Sequence, residues 1–331
     1  MSYIVVDHLC KEYRIAQTEK GFSGAIKSLF HRKYTVKKAV NNISFVIEKG
    51  ESVGYIGPNG AGKSTTIKML SGILIPSSGT ITVGGIIPYN ERKENAKHIG
   101  VVFGQRSQLY WDLPLSDTLD LYKYLYPIPY TSFKKNCDFY IELFGLNEFM
   151  HQPVRQLSLG QKMKANIAIA LLHEPDILYL DEPTIGLDLT SKKIVRDSLK
   201  TINKLKQTTI ILTTHDMDDI EAVCDRLILI DQGEKLFDGS LREFRTKYDD
   251  GLIFKLEFEK GAAPIWQNDC AFEIIDQNDH QWIIGVPPTH SSKEAMIELI
   301  NRFDPINLYV SEKSIEEIVR KIYSSVHLED T

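Results

Sequence analysis

Gly57-Pro58-Asn59-Gly60-Ala61-Gly62-Lys63-Ser64-Thr65 stands between a short apolar run, Val53-Gly54-Tyr55-Ile56, and the segment Thr65 to Leu70, which continues as a predicted helix. The spacing is G-x-x-x-x-G-K-[ST], and a strand before it with a helix after it is the context that gives this spacing a mechanism. Glycines let consecutive backbone N–H groups turn inward around phosphate oxygens. The helix that follows presents its positive end to the same anion. Lys63 can reach terminal phosphates, and the Ser64 hydroxyl can ligate Mg²⁺. The context argues against the bland alternative, an ordinary glycine turn before a helix.

The second stretch, Ile177-Leu178-Tyr179-Leu180-Asp181-Glu182, places two carboxylates at the end of a continuous apolar run. Such a run suits a buried parallel strand, and the carboxyl end of that strand opens onto the ligand crevice of an α/β sheet. Asp181 is expected to hold Mg²⁺, and Glu182 to polarise a water for attack on a terminal phosphate. Alone, Asp-Glu at a strand end is often only a chain reaching solvent. Its chemical reading comes from its pairing with the phosphate loop.

Further apolar runs at Thr80–Val83, Val101–Phe103, Thr209–Leu212 and Leu227–Ile230 alternate with helical patterns, implying a mostly parallel α/β core. Residues 3–6 and 43–47 are predicted as N-terminal strands, with 17–38 as an insertion between them. Leu113 to Leu172 is predicted mainly helical, broken at Pro127 and Pro129. From about Leu241 the pattern changes to a small α+β domain, with strands at 252–258, 272–275 and 282–286 and helices at 292–302 and 314–323. The chain of 331 residues, 43% hydrophobic and 25% charged, can bury a sizeable core. A formal net charge of -5 argues against nucleic acid as the main partner. Cys10, Cys137, Cys224 and Cys270 form no CxxC pair and are expected to be reduced thiols. No secretory signal or spanning segment is visible, so a membrane role is expected to act through a partner.

Three more elements narrow the class. Gln105 follows the 101–103 strand, Leu157-Ser158-Leu159-Gly160-Gln161 opens an apolar helix, and His215 follows the 209–214 strand. With the two motifs above, in this order, the chain resembles the ATP-binding subunits of ABC transporters over roughly residues 3 to 240. The resemblance implies a P-loop nucleotide-binding domain over 1–240, with a parallel core sheet, an antiparallel N-terminal sheet and a helical subdomain at about 106–175. Residues 241–331 form the accessory α+β domain.

Carried over position by position, the phosphate loop Gly57, Pro58, Asn59, Gly60, Ala61, Gly62, Lys63, Ser64 and Thr65 binds ATP, and Ser64, Asp181 and Gln105 attend Mg²⁺. Ser158, Gly160 and Gln161 form the signature, which completes the site of a second subunit. Ile185-Gly186-Leu187-Asp188 matches the D-loop, whose Asp188 communicates between sites, and His215 the histidine that contacts the γ-phosphate. Tyr13 matches the aromatic that stacks on adenine; packing beside a strand is its bland alternative. The family's commonest signature has glycine where Leu159 stands, and a branched side chain there could constrain approach to phosphate. With Ser158, Gly160 and Gln161 present, activity is expected to survive.

The resemblance further implies a dimer, expected to be a homodimer, around two Mg-ATP. It implies separate integral membrane permease subunits, a place on the cytoplasmic face of the cell membrane, and no nucleic-acid partner. The leucine-containing signature and the C-terminal domain look most like drug- and sodium-export ATPases with permeases of the ABC-2 type. A soluble ATPase acting on ribosomes or DNA is the rival reading; its usual doubled domain or long coiled coil is not present. Two readings stay open. The aromatics Tyr110, Trp111, Tyr122, Tyr124 and Tyr126 suit either subdomain core or a permease groove. Phe22, Ile26, Leu29 and Phe30, with Lys27, His31, Arg32, Lys33, Lys37 and Lys38 within or just after them, suit an amphipathic helix near anionic headgroups or a solvated face.

Overall fold

Continuous apolar runs make the core of the first unit a sheet buried on both faces. The computed structural model describes residues 2–16, 34–104, 106–248, 251–260, 264, 272–287 and 289–329. Contacts divide the chain into two units, Met1–Leu241 and Arg242–Thr331.

In the first unit, β1 (Ser2–Ala16) and β2 (Tyr34–Glu48) form a long antiparallel hairpin, and β4 (Ser78–Val83) pairs with the other edge of β1. A six-stranded sheet has the order β5-β6-β7-β3-β8-β9. Its strands are β3 (Ser52–Ile56), β5 (Ile99–Phe103), β6 (Ile177–Asp181), β7 (Thr209–Thr213), β8 (Arg226–Asp231) and β9 (Glu234–Ser240). The first five run parallel, and β9 closes the edge antiparallel to β8. The two sheets share one apolar core with α1 (Lys63–Leu70), built from residues such as Ile4, Phe45, Tyr55, Ile67 and Ile228.

Helices α2 (Arg92–His98), α3 (Leu115–Leu125), α4 (Tyr130–Phe144) and α5 (Leu159–Leu171) follow in order. Pro127 and Pro129 separate α3 from α4, with Pro129 at the N-cap of α4, where its missing N–H costs nothing. Then come α6 (Leu189–Lys206) and α7 (Met217–Val223). Among the described residues Cys10, Cys137 and Cys224 are free, and burial pushes the Cys224 thiol up to about 12.

The hairpin corrects one expectation. The stretch predicted as an insertion, 17–38, is described from Tyr34 onward, and Tyr34 to Lys38 is strand. It pairs back on Glu12 to Ala16, with Tyr13 opposite Lys37. The helix expected over Phe22, Ile26, Leu29 and Phe30, with its basic residues Lys27, His31, Arg32 and Lys33, lies outside the described residues. No helix among the described residues is long and apolar enough to cross a membrane.

In the second unit, α8 (Leu241–Lys247) starts at the boundary. Strands β10 (Leu252–Glu257), β11 (Glu273–Asn278), β12 (Gln281–Val286) and β13 (Asn307–Glu312) make an antiparallel sheet of order β11-β12-β10-β13. Helices α9 (Ser292–Phe303) and α10 (Ile315–Glu329) complete it. Ser291 caps α9 through a reciprocal pair with Glu294. Phe254, Trp282, Leu299 and Phe303 form a core of its own. Because Phe254 is fully buried there, Phe254→Ala should cost about 3–5 kcal/mol. Calorimetry should show that loss in one unfolding transition, with the transition of the first unit unmoved.

Candidate functional site

The phosphate loop joins β3 to α1 at the carboxyl end of the parallel sheet. Two of its glycines are dictated by space. A Cβ on Gly57 would stand 2.6 Å from the Ile230 carbonyl oxygen, and one on Gly62, which sits at φ 106°, would stand 2.3 Å from that of Ala39. Any larger residue would push the loop off the sheet. Lys63 is only 6% exposed. Its Nζ donates to the carbonyl oxygens of Gly57 (2.6 Å) and Pro58 (3.1 Å). Burial lowers its pKa, while the nearby carboxylates of Glu182 and Asp181 oppose that shift.

Asp181 ends β6, beside that loop. Its Oδ1 accepts from the Ser64 hydroxyl at 3.2 Å and from the Thr213 hydroxyl at 2.6 Å. Glu182 follows at φ 56°, a left-handed conformation unusual for this side chain. Its backbone N–H donates to the Thr213 carbonyl (2.9 Å), so β7 holds the turn. His215, two residues past the end of β7, places Nε2 2.9 Å from Glu182 Oε1. The structure thus brings together the ends of three strands that are far apart in sequence.

A cavity of about 290 Å³ opens over the loop. It is lined by Tyr13, Lys37, Ala39, Asn59, Gly60, Gly62, Lys63, Ser64, Thr65 and Glu182. Tyr13 therefore faces the phosphate loop across the mouth of the hairpin, although it sits some fifty residues before it in the chain. A neighbouring cavity of about 320 Å³ is shared by Ser64, Asp181, Glu182, Gly104 and Arg106. Gln105 itself lies outside the described residues.

Ser158 caps α5 with a complete capping box. Its hydroxyl accepts from Gln161 N–H at 3.2 Å, and the Gln161 side chain accepts from Ser158 N–H at 2.8 Å. A Cβ on Gly160 would meet Ser191 Oγ at 2.3 Å, so the signature packs directly on the first turn of α6. Asp188 caps that helix, accepting from Ser191 N–H at 2.9 Å and from the Ser191 hydroxyl at 2.7 Å. Leu159 is half exposed and leans toward Gly186. The described lining of the phosphate cavity includes none of Ser158, Gly160, Gln161 or Asp188.

The aromatic cluster divides. Tyr122 is buried, and Tyr126 stacks on His173 with ring centroids 4.1 Å apart. Tyr110, Trp111 and Tyr124 are exposed, Trp111 at 61%, with Lys162 Nζ 4.9 Å from the Trp111 ring centroid.

Sequence reasoning missed Lys37, Ala39, Arg106 and Thr213. A hairpin register places the first two, and only the strand order of the sheet places Thr213 beside Asp181. The hydroxyl of Ser64 and the carboxylate of Asp181 are hard oxygen donors that suit Mg²⁺. Among the described residues no group of three or more His, Cys, Asp or Glu could hold a metal by itself.

The chain is similar to known proteins. The sequence pattern of the family described as ABC transporter matches residues 40–185. The ABC transporter ATP-binding protein NatA of Bacillus subtilis (strain 168) is 38% identical over 237 residues, covering 71% of this chain and 96% of that protein. The linearmycin resistance ATP-binding protein LnrL of the same organism is 37% identical over 225 residues, covering 68% of this chain and 72% of its own. A solved dimeric ATP-binding cassette in a post-hydrolysis state with ADP and phosphate superimposes with a TM-score of 0.60 at 25% identity. That match covers 72% of this chain and 99% of the cassette. A strand-to-helix phosphate loop, carboxylates at the end of β6 and near-complete coverage of a relative this similar lead to one family: the chain belongs to the ATP-binding proteins of ABC transporters and is an ATP hydrolase.

Proposed function

We propose that two copies of this chain close over two Mg-ATP and power export through separate membrane permease subunits at the cytoplasmic face of the cell membrane. The observation that carries this reading is the separation of the signature from the phosphate cavity of its own chain. An exposed helix start bearing a serine hydroxyl is an anion-binding element, and a second copy offers it a phosphate. The solved cassette dimer supports the pairing.

In this arrangement Tyr13 stacks on adenine, and the backbone N–H groups of Gly60 to Thr65 with Lys63 hold the phosphates. Ser158, Gly160 and Gln161 of the second copy close over them, and Asp188 links the two sites. Ser64 and Asp181 would hold Mg²⁺, and Gln105 is the residue assigned to sense it. Bound there, the ion neutralises phosphate charge. Glu182 takes a proton from a water as that water's oxygen attacks the γ-phosphorus and ADP departs. His215 orients Glu182 through the 2.9 Å contact and reaches the γ-phosphate.

The exposed Trp111, Tyr110 and Tyr124 suit the apolar anchor of a permease segment. A relative named for resistance to linearmycin supports outward transport. Residues 241–331 serve as an accessory domain.

Glu182→Gln should keep ATP binding, lower hydrolysis by roughly a hundredfold or more, and trap an ATP-dependent dimer. Gel filtration checks this: a monomer with ATP bound would refute the shared site. Lys63→Ala should weaken ATP binding by roughly tenfold or more, measured by titration with a fluorescent nucleotide. Hydrolysis at the unaltered rate in that variant would overturn the phosphate-loop assignment.

A further inference from the structure

Asp219, on α7, is a buried carboxylate that none of the recognised motifs contains. It is 1% exposed and shares three hydrogen bonds. Its Oδ2 accepts from the Thr184 hydroxyl and from the Thr214 hydroxyl, the latter at 2.9 Å. Its Oδ1 accepts from Arg196 Nε at 2.6 Å. Thr184 lies between Glu182 and Asp188, Thr214 immediately precedes His215, and Arg196 belongs to the helix that Asp188 caps. Asp216, next to His215, extends the same network. It accepts from Lys192 at 2.5 Å and from Arg196 at 3.1 Å, and its backbone N–H donates to the Thr214 hydroxyl at 3.0 Å.

We propose that Asp219 is a positioning residue for ATP hydrolysis: it ties the loop after Glu182 to the loop that carries His215, fixing the two side chains against each other. A buried charge needs all its partners, so the carboxylate does not tolerate one loop leaving the other. Two loops from different strands are thereby tied to each other and to Arg196 of α6. The inference rests on the assignment of Glu182 and His215 as hydrolytic residues.

The test removes the tie while leaving the charge paired. Thr184→Val with Thr214→Val deletes the two hydroxyls and keeps Asp219 with Arg196. Turnover should fall about tenfold or more, because small misplacements at a reacting centre are costly, with the dissociation constant for ATP changed by less than about twofold. Asp219→Asn should give the same split, and it serves where the double variant does not fold. In a His215→Ala background, followed by single-turnover assay, the valine pair should add less than about a twofold loss, since nothing remains to align. Unaltered turnover in the valine pair would overturn the proposal. So would an equal loss of ATP binding, or a full tenfold loss repeated in the His215→Ala background. Unaltered turnover in Glu182→Gln and His215→Ala would instead refute the underlying assignment, a result that the valine pair cannot mimic.

Discussion

A buried ammonium group must find oxygen, and in this chain that requirement organises the site. Lys63 is almost wholly enclosed, and its charge is met by two carbonyls of the very loop that precedes it. Those bonds curl the loop around the lysine head, which is possible only with glycine at 57 and 62, where carbonyls of β8 and β2 press close. Desolvation alone would favour the neutral amine, and the carboxylates of Asp181 and Glu182 counter it. The strand order of the sheet follows as a condition. β7 lies between β3 and β6, so the end of β6 supplies the acids and the end of β7 the Thr213 hydroxyl on the same side of the sheet as the loop.

Glu182 shows how local strain is carried by the surroundings. A glutamate at φ 56° costs of order 1–3 kcal/mol and persists only where its neighbours over-determine it. Here the neighbours are backbone and side chain together. Thr213 accepts from the Glu182 N–H, and His215 faces the carboxylate. Gly104 stands so close that a Cβ there would come 2.3 Å from the Glu182 carbonyl oxygen. The turn is thus fixed from β5, β7 and the histidine loop. A side chain fixed from three directions has little freedom to reorganise.

The parallel strands and the phosphate loop were legible in the sequence because each is a local pattern: an apolar run, a glycine spacing, a carboxylate at a strand end. The outer half of the hairpin was not, since strands were expected there only at 3–6 and 43–47. Tyr13, Lys37 and their neighbours alternate poorly and are mostly exposed, so their strand character comes from pairing with each other, which no short window contains. For the same reason β9 was missed: its exposed, charged start hides an edge strand. The split of the aromatic cluster was also beyond local reading. Tyr122 and Trp111 are similar in sequence character, and only tertiary packing makes Tyr122 of α3 core and Trp111, which precedes that helix, surface. The residues of the Asp219 network carried no signal either, since a threonine and an aspartate 35 positions apart become partners only through the order of β6 and β7.

Leu159 brings these threads together. Read alone, a branched residue in the signature threatens close approach to phosphate. In the fold its side chain lies over Gly186, while Gly160 beneath it presses on Ser191 and so on the cap made by Asp188. The signature and the D-loop are therefore one packed surface and not two independent elements. A displacement of α5 relative to α6 would have to break the Gly160 contact, and through α6 would pull on Arg196 and the buried Asp219. The serine-bearing helix start is thus linked by direct contacts, through α6, to the loops that hold Glu182 and His215. Space-filling contact and a buried charge supply those links.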